Sequence, residues 1–387
     1  MMDSPTKKRC CFRRFRTILE GMIHFDTRPV GSGAPCLIVA ELGTSHQGDL
    51  DRARRLIDAA AAAGADCIKF QLVHAEEILH PRSGFVPLPT GDVALYEQFR
   101  ALERDLEFYA ALKRHTEQDG ARFLCSPFGI RSARELRSLG VRALKIASPE
   151  INHFPLLQEA ASYALPLFLS SGVSTLADIE RALAVTGRQR TVLLHCITAY
   201  PAPEEEYNVA VLDSLRDVLG VPLGLSDHSA DPVLVPALAT AHRACVVEKH
   251  FTLSRSDGGL DDPIALEPAG FRRMVDAVRR AEADGADRTT RWLQAEYGAA
   301  RVTAVTGSGV KVLAASERAN YRRTNRSLHA LRDIPEGARI TADDVAVLRT
   351  EKVLRPGIGP EFLALAVGAT ARRSIPDGEG IEWEDLV

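Results

Sequence analysis

Polar side chains stand at the ends of short apolar runs along most of this chain. They are Glu41, Lys69 and Gln71, Ser126, Lys145 with Ser148 and Glu150, Ser170, Ser226 with Asp227 and His228, and Glu248 with Lys249 and His250. Lysines and hydroxyl groups are suited to holding a phosphate group. Two imidazoles with oxygen ligands suit a borderline divalent metal ion that keeps open positions. These residue types therefore indicate a site for an anionic substrate and a metal ion.

Eight apolar runs carry these residues. They are CLIVAELG from Cys36, CIKFQLV from Cys67, ARFLCSPF from Ala121, ALKIASPE from Ala143, LPLFLSSG from Leu165, TVLLHCITAY from Thr191, VPLGLSDHS from Val221 and CVVEKHFT from Cys245. Each run is apolar on both faces, as in parallel strands buried on both sides. Amphipathic stretches such as residues 50–65 and 107–120 separate the runs and predict helices. The alternation predicts a (β/α)8 barrel; the alternative is an open doubly wound sheet, but its Gly-rich first loop is absent.

In such a barrel the carboxyl ends of all strands meet at one mouth, where functional residues gather. Strand alternation puts Lys69 with Gln71 on one face, and does the same for Ser226 with His228 and for Glu248 with His250. Taken singly, a strand-end Lys is more often an ion-pair partner, and a buried His more often makes a core hydrogen bond. Asp227 can simply orient a neighbouring loop, and His46 and His195 are interpreted as structural. The polar ends of all eight runs together favour a ligand pocket.

The composition narrows the class of protein. The formal net charge is −3 and 45% of residues are hydrophobic, so nothing draws the whole chain toward nucleic acid or an anionic membrane. No apolar run approaches the roughly 20 residues that cross a bilayer. Residues 1–30 form a basic extension that we interpret as a solvated terminus. The seven cysteines have no zinc or disulfide spacing, which predicts a reducing, cytoplasmic location. The net charge and the short apolar runs predict that neither nucleic acid nor a membrane is a partner.

The chain changes character after the last run. Residues 31–290 are expected to form the catalytic barrel, residues 291–323 a linker without strong periodicity, and residues 324–387 a small domain. An internal repeat marks this small domain: Asp333-Ile-Pro-Glu-Gly-Ala-Arg-Ile340 with Asp344, and Ser374-Ile-Pro-Asp-Gly-Glu-Gly-Ile381 with Asp385. Pro second and Gly fourth are typical of turns between short strands. The repeat predicts a small β-rich domain that leans on the barrel or on a second subunit.

At these residues the sequence resembles the N-acetylneuraminate (sialic acid) synthase family with a C-terminal antifreeze-like (SAF, β-clip) domain. The resemblance covers about residues 37–282 and again about 325 to the C-terminus. It rests on Ala40-Glu41-Leu42-Gly43 with His46 and Gly48, Lys69-Phe70-Gln71, Ser126-Pro127-Phe128, Lys145-Ile146-Ala147-Ser148-Pro149-Glu150, His195-Cys196 with Tyr200-Pro201-Ala202-Pro203, Ser226-Asp227-His228, Glu248-Lys249-His250-Phe251-Thr252, Asp261, Leu266-Glu267-Pro268 and Asn325-Arg326-Ser327-Leu328. The order of these motifs on successive strands makes the resemblance specific.

The resemblance implies a cytoplasmic transferase that joins phosphoenolpyruvate to an N-acylated amino-sugar aldehyde, N-acetylmannosamine or a relative, with a Mn²⁺ or Mg²⁺ ion. It implies that Lys69, Ser126, Lys145, Ser148, Ser170 and Ser226 hold phosphoenolpyruvate, and that His228 and His250 bind the metal. It implies that Glu41, Gln71, Tyr200, Asp261 and Arg326 contact the sugar, and that Glu150, Lys145 and Glu41 are catalytic. Arg326 would come from the partner subunit of a domain-swapped homodimer.

The sequence departs from the family pattern at Ser45, Gly129, Pro149, Thr198 and Asp262. These changes lie where the sugar or its N-acyl group would bind, so synthases of legionaminic, pseudaminic or spore-coat sugars are alternatives. A Schiff-base aldolase using Lys145 or Lys249 is a rival enzyme class. A sugar-binding protein without catalysis is the non-enzymatic alternative.

Overall fold

The protein is represented by a computed structural model that describes residues 21–88, 91–351 and 353–387, without the side chains of 86–88. The strands are β1 (Ile23–Phe25), β2 (Arg28–Val30), β3 (Leu37–Gly43), β4 (Cys67–Gln71), β5 (Val86–Leu88), β6 (Gly91–Val93), β7 (Arg122–Ser126), β8 (Leu144–Ile146), β9 (Leu167–Ser170), β10 (Thr191–Cys196), β11 (Leu223–Asp227), β12 (Val246–His250), β13 (Arg326–Ala330) and β14 (Val345–Arg349). The α-helices are α1 (Leu50–Ala62), α2 (Leu95–Leu102), α3 (Leu106–Gln118), α4 (Ile130–Ser138), α5 (Phe154–Ser162), α6 (Leu176–Thr186), α7 (Val211–Leu219), α8 (Leu234–Ala241), α9 (Pro268–Tyr297), α10 (Ala299–Thr306) and α11 (Leu363–Ala366).

Eight parallel strands form one sheet in the order β7-β4-β3-β12-β11-β10-β9-β8. The two end strands, β7 and β8, contact each other, so the sheet is nearly closed into a barrel. Helices lie between successive strands along the chain. The predicted (β/α)8 architecture is confirmed, and each of the eight apolar runs contains one of these strands.

Alternate side chains on each strand point into the barrel, as the period of two requires. The lower interior is apolar and is built from Val39, Leu124, Phe168 and Leu194 with neighbours from other strands. The hairpin β1–β2 packs against this cluster, where the rings of Phe25 and Phe168 lie 5.5 Å apart, edge to face. The interior is therefore filled at one end, and the polar ends of the strands occupy the other.

Helix ends follow local chemistry. The Asp49 carboxylate accepts a hydrogen bond from the Arg52 N–H at the start of α1, and Thr175 with Asp178 forms a capping box at the start of α6. Past the ends of α1 and α3 stand Gly64 and Gly120, both with positive φ. These caps set where each helix starts and therefore which residues are left in the loops at the mouth.

The small domain follows the predicted repeat. Its core clusters Leu328, Ile334, Ile375 and Ile381 with other apolar residues, and the backbones of Ile334 and Ile375 exchange two hydrogen bonds of 2.9 Å. In each half an arginine donates to an aspartate that caps a short turn: Arg332 to Asp344, and Arg373 to Asp385. The two repeated segments pair with each other.

The segment between the domains differs from the sequence expectation. Residues 291–323 were expected to form a linker without strong periodicity; in the structure they contain the end of α9 and all of α10. Val302 and Val305 of α10 are buried in the barrel's core cluster. Two apolar residues this close together are too few to produce a clear helical period in the sequence. Within the described ranges, no helix is both long and apolar enough to cross a bilayer.

Candidate active site at the barrel mouth

Four charged side chains fill the layer above the apolar floor. Glu41, Lys69, Lys145 and Glu248 are each at most 5% exposed. Lys69 Nζ lies 2.6 Å from Glu41 Oε2 and 3.6 Å from Glu248 Oε1, and Lys145 Nζ lies 3.9 Å from Glu248 Oε1. Burying one of these charges alone would be very costly, so the group is stable only as a balanced set. Both lysines thus lie within 4 Å of the same carboxylate oxygen, Glu248 Oε1.

The pKa values reflect this pairing. Burial raises the pKa of Glu248, but Lys145 and Lys69 outweigh it and bring the value down to about 2. Burial lowers the pKa of Lys69, yet Glu248 and Glu41 raise it above its ordinary value. For Lys145 burial prevails and the pKa falls below its ordinary value. Glu248 therefore stays ionised, and an incoming phosphate must compete with its carboxylate for the two lysines.

Hydroxyl groups surround the lysines. Ser170 Oγ accepts from Lys145 Nζ at 2.7 Å, and Ser226 Oγ donates to Glu248 Oε1 at 2.9 Å. Ser148 Oγ accepts from the Gly172 N–H at 3.0 Å, in the loop after β9. Within the part of the chain that is described, the buried Ser126 Oγ has no hydrogen-bond partner. The six residues expected to hold an anionic donor all lie buried at strand ends.

The two histidines expected to bind metal lie side by side, with ring centroids 5.4 Å apart. His228 Nδ1 lies 2.7 Å from the Ile197 carbonyl oxygen, to which it can donate, so Nε2 is left to act as a ligand. Burial lowers the pKa of His250 to about 3, so that ring is neutral. For His228 burial acts in the same direction, but the Cys196 sulfur and the Ile197 carbonyl raise the pKa to about 9. Binding of a cation at His228 Nε2 would therefore release a proton.

These donors fit a divalent metal ion. Both rings are buried, at 5% and 7% exposure, and His250 Nδ1 lies 3.8 Å from Asp261 Oδ2. Two imidazoles and a nearby carboxylate leave positions for oxygen ligands from substrate or water.

A second group that could hold a cation lies on the outer helices. Asp58 of α1, His115 of α3 and Asp119 after α3 place one ligand atom each within 4.8 Å of one another. His115 Nε2 lies 2.6 Å from Asp58 Oδ1, and their side chains are 26% and 57% exposed. These three residues were not among those expected from the sequence to bind a metal ion. Its helical position separates it from the strand ends, and exposed acidic groups commonly carry no ion.

Four of the five residues expected to contact the sugar lie at the barrel mouth: Glu41, Gln71, Asp261 and Tyr200. Gln71 Nε2 donates to Glu41 Oε1 at 2.7 Å. Gly43, at φ +50°, lets these side chains approach: a Cβ there would lie 3.2 Å from Gln71, 3.3 Å from Glu41 and 3.5 Å from Asp261. Tyr200 is 45% exposed, with its ring 4.3 Å from that of His228. Tyr200 thus lies at the opening, and the other three residues form the wall beneath it.

The small domain places two arginines on Glu150. Arg326 Nη2 and Arg349 Nη2 donate to Glu150 Oε1 at 2.8 and 2.7 Å. Arg326 also donates to the carbonyls of Glu77 and Phe128, and its side chain is fully buried. In this single chain Arg326 therefore reaches Glu150 and not the open cleft. Glu150 Oε2 is buried without a hydrogen-bond partner in the described structure.

Several residues have the structural roles that the sequence analysis assigned to them. His195 lies on the outer face of β10, with Nε2 2.6 Å from the Tyr207 carbonyl oxygen. His46 Nδ1 accepts from the Gly48 N–H. Lys249 also points outward and pairs with Asp227 at 2.5 Å, so it is not at the mouth. This position argues against Lys249 as a Schiff-base lysine.

Sequence reasoning missed two residues of this site. Glu248 was noted on its strand but given no role, although its shared parity with His250 could have placed it beside the lysines. Arg349 had no signal, because it contacts Glu150 only through the packing of the small domain. Its guanidinium lies 5.6 Å from the Phe128 ring centroid, and its side chain is 12% exposed whereas that of Arg326 is fully buried.

Comparison with known proteins gives two family matches: the NeuB family over residues 56–289, and the SAF domain over residues 325–387. The chain is 32% identical over 370 residues to N,N'-diacetyllegionaminic acid synthase of Legionella pneumophila, covering 93% of this chain and 97% of that protein. It is 30% identical over 368 residues to human N-acetylneuraminate-9-phosphate synthase, covering 93% and 95%. Among solved structures, the spore coat polysaccharide biosynthesis protein SpsE of Bacillus subtilis matches with a TM-score of 0.79 and 31% identity, covering 95% of this chain and 99% of that one.

Proposed function

Because this chain belongs to the NeuB family and ends in a SAF domain, we propose that it is a sialic-acid-type synthase. It condenses phosphoenolpyruvate with an N-acylated amino-sugar aldehyde, forming a nonulosonic acid and inorganic phosphate. The observation that carries the proposal is the meeting, in one barrel mouth, of the Lys69–Lys145 pair with the His228–His250 pair.

Lys69 and Lys145 hold the donor's negative charge, and the hydroxyls of Ser126, Ser148 and Ser170 orient it. Lys145 already donates to Ser170, so a phosphate oxygen between them would find an ammonium and a hydroxyl together. The buried Ser126 Oγ, which lacks a partner within the described residues, can donate to a ligand without breaking an existing bond. Holding the donor in one orientation lowers the entropic part of the barrier.

His228 and His250 would hold the divalent metal, Mn²⁺ or Mg²⁺. When bound there, such an ion polarises the aldehyde carbonyl as a Lewis acid. The two rings lie close to Tyr200 and Asp261, so the aldehyde end of the sugar would sit between the histidines and the wall of the cleft.

In the reaction, carbon 3 of phosphoenolpyruvate attacks the carbonyl carbon of the aldehyde. Carbon 2 of phosphoenolpyruvate becomes electron-poor as a result. The aldehyde oxygen takes up a proton and becomes a hydroxyl group. Water adds at carbon 2 with loss of a proton; the new hydroxyl at carbon 2 then loses its proton to become the ketone as the carbon–oxygen bond to phosphate breaks and phosphate leaves. Glu150 Oε2 is the acceptor for the proton of that water, because both arginines occupy Oε1 and leave Oε2 without a partner in the described residues. The same negative charge stabilises the cationic carbon.

Glu41, Gln71, Asp261 and Tyr200 bind the acceptor sugar, with Glu41 also in contact with Lys69. N-acetylmannosamine or a relative is the proposed acceptor. A legionaminic, pseudaminic or spore-coat precursor is the alternative, since Asp262, one of the departures from the family pattern, directly follows Asp261 in the chain. Thr198 has a buried Oγ1 without a partner in the described chain, and Asp262 accepts from the Gly259 N–H at 2.7 Å.

Assembly and location are also proposals. A domain-swapped homodimer remains the proposed assembly. Within one chain Arg326 is bound to Glu150 of its own barrel, so Arg326 would serve the neighbouring subunit's site only if the small domains are exchanged between subunits. The cytoplasmic location predicted from the cysteines is kept as well. Five of the seven cysteines are described as free and buried: Cys36, Cys67, Cys125, Cys196 and Cys245.

The test is phosphate release from phosphoenolpyruvate with Mn²⁺ across amino-sugar aldehydes, including N-acetylmannosamine and its 6-phosphate. Release with one aldehyde would support the reaction and identify the acceptor. If no aldehyde causes phosphate release although phosphoenolpyruvate binds measurably, the acceptor lies outside the amino-sugar aldehydes. Absence of donor binding would favour the non-catalytic sugar-binding alternative. Irreversible labelling of Lys145 by pyruvate and borohydride would favour the aldolase.

A further inference from the structure

Glu317 lies in the connecting segment between the two domains, which we define as residues 307–325. It is fully buried, although it lies between the ranges matched by the two families. Its Oε1 accepts from the Val173 N–H at 2.7 Å and from the Thr198 N–H at 2.8 Å. Its Oε2 accepts from the Ala314 N–H at 3.3 Å. One carboxylate thus joins the connecting segment to two separate loops of the barrel.

Those two loops follow β9 and β10, at the donor side of the mouth. Val173 comes three residues after Ser170, and Thr198 comes two residues after Cys196. Between them, the Gly172 N–H donates to Ser148 Oγ. The fit around Gly172 is tight: a Cβ there would lie 2.0 Å from Thr198 Oγ1, 2.9 Å from Ser148 Oγ and 3.2 Å from Glu317 Oε1. Moving either loop would therefore move the groups that face the donor.

Further contacts of the connecting segment hold the same region. Lys311 Nζ donates to the Ser171 carbonyl at 3.2 Å, and Asn325 Nδ2 donates to the Val173 carbonyl at 3.2 Å. Tyr321 OH donates to Asp178 Oδ2 at 2.9 Å, at the start of α6. The loop after β9 is thus bonded to the connecting segment through its carbonyls as well as through the Val173 N–H.

The two hydrogen bonds of Glu317 Oε1 to the barrel are not needed to cap the turn in which Glu317 lies. The turn at residues 315–317 uses only the Ala314 N–H, through Oε2. Both bonds of Oε1 cross to the barrel, and bonds to a buried charge are the strong kind. A carboxylate is excluded from water at a high cost unless its partners compensate, so these two bonds are what makes its burial stable.

We propose that Glu317 is a positioning residue of the donor-binding site: it holds the loops after β9 and β10 at the spacing at which Ser148 and Ser170 bind phosphoenolpyruvate. The proposal rests on the proposed function. It assigns part of the donor site to Glu317, which lies outside both family matches.

The experiment measures steady-state kinetics and calorimetric binding of phosphoenolpyruvate with the full chain and Mn²⁺. Glu317→Ala is expected to raise both the KM and the Kd for phosphoenolpyruvate at least about tenfold, since displacement of positioning groups by about 1 Å can cost up to a hundredfold. The KM for the sugar should stay within about twofold. Glu317→Gln keeps a carbonyl oxygen for both N–H groups and should restore most of the affinity. If Glu317→Ala does not fold, Glu317→Asp is the test, because its shorter side chain cannot span both loops.

Glu206→Ala is the matched control. Glu206 also anchors the connecting segment, accepting from Ser316 Oγ and the Ser316 N–H. It lies in the far part of the loop after β10, in the short turn Glu204–Glu206, and these bonds involve neither the Val173 N–H nor the Thr198 N–H. The variant Glu206→Ala should leave the KM for phosphoenolpyruvate unchanged. An equal rise in Glu206→Ala, or donor affinity within twofold of the natural protein in Glu317→Ala or Glu317→Asp, would overturn the proposal. If the natural protein itself neither binds phosphoenolpyruvate nor releases phosphate, it is the proposed function that fails.

Discussion

Replacing Glu248 with Gln removes the negative charge that two buried lysines share. The pKa of Glu248 falls from its ordinary 4.5 to about 2, which corresponds to roughly 3 kcal/mol at about 1.4 kcal/mol per pKa unit. Direct Coulomb attraction gives about 4 kcal/mol per pair at separations near 4 Å and an effective dielectric constant of about 20, before the cost of burial is subtracted. The pKa figure predicts that Glu248→Gln destabilises the barrel by about 3 kcal/mol at neutral pH. The Coulomb attraction of the two pairs has the same sign and is larger, because the cost of burying the carboxylate is not yet subtracted from it.

The sign of the pH dependence follows from the lowered pKa. Glu248 contributes its full stabilisation above pH 4.5, where the carboxylate is ionised in both the folded and unfolded chain. The contribution disappears as the pH falls through about 2, where the folded state also takes up the proton. The stability difference between the two proteins should thus be constant from about pH 8 to 5 and shrink below about pH 4.5.

The assay is reversible urea unfolding at pH 7.5, followed by fluorescence. The chain has two tryptophans: Trp292 lies in α9 of the barrel and Trp383 in the small domain. A Trp383→Phe background therefore isolates the barrel transition. Glu117→Gln is the matched control, because Glu117 makes an exposed helical pair with Lys113 and such pairs contribute only about 0.3–0.5 kcal/mol.

Two results would refute the reasoning. One is a Glu248→Gln stability within about 0.5 kcal/mol of the natural protein at pH 7.5. The other is a stability difference that does not diminish in acid.

A second readout is binding of inorganic phosphate, which should become tighter in Glu248→Gln because the carboxylate no longer competes for Lys69 and Lys145.

Three further predictions concern the metal, the small domain and Glu150. His250→Ala should abolish phosphate release while leaving the circular dichroism spectrum unchanged. The control His195→Gln, on the outer face of β10, should keep most of its activity. Near-normal turnover of His250→Ala in metal-stripped buffer would contradict the metal assignment. A chain ending at Thr306 should lose activity, since it lacks Arg326, Arg349 and Glu317; full activity would exclude a role for all three. Arg349→Gln should lower kcat about tenfold, because Glu150 loses one of its two guanidinium partners. Arg332→Gln, which affects a turn within the small domain, should leave kcat unchanged. If Arg349→Gln and Arg332→Gln have equal kcat values, Arg349 has no role in the site.

The sequence alone determined the barrel and the inward-facing residues of its mouth. Each strand is a short apolar run, and the period of two assigns every later residue to the inner or the outer face. For this reason Lys69 and Gln71, or Glu248 and His250, could be placed together without a structure. The same rule put His195 on the outer face, where its ring meets the Tyr207 carbonyl. The repeat of the small domain was readable as well, because its Pro and Gly residues mark the turns.

Only the tertiary structure decided which groups pair. Glu248 lies between two lysines from distant strands, and its pKa depends on distances that no local pattern encodes. Arg349 reaches Glu150 only because the small domain packs on the barrel. Glu317 stands in a segment with little periodicity, and its role comes from two backbone N–H groups more than a hundred residues away along the chain. Local sequence sets the face on which a side chain lies, whereas contacts between distant segments require the closed fold.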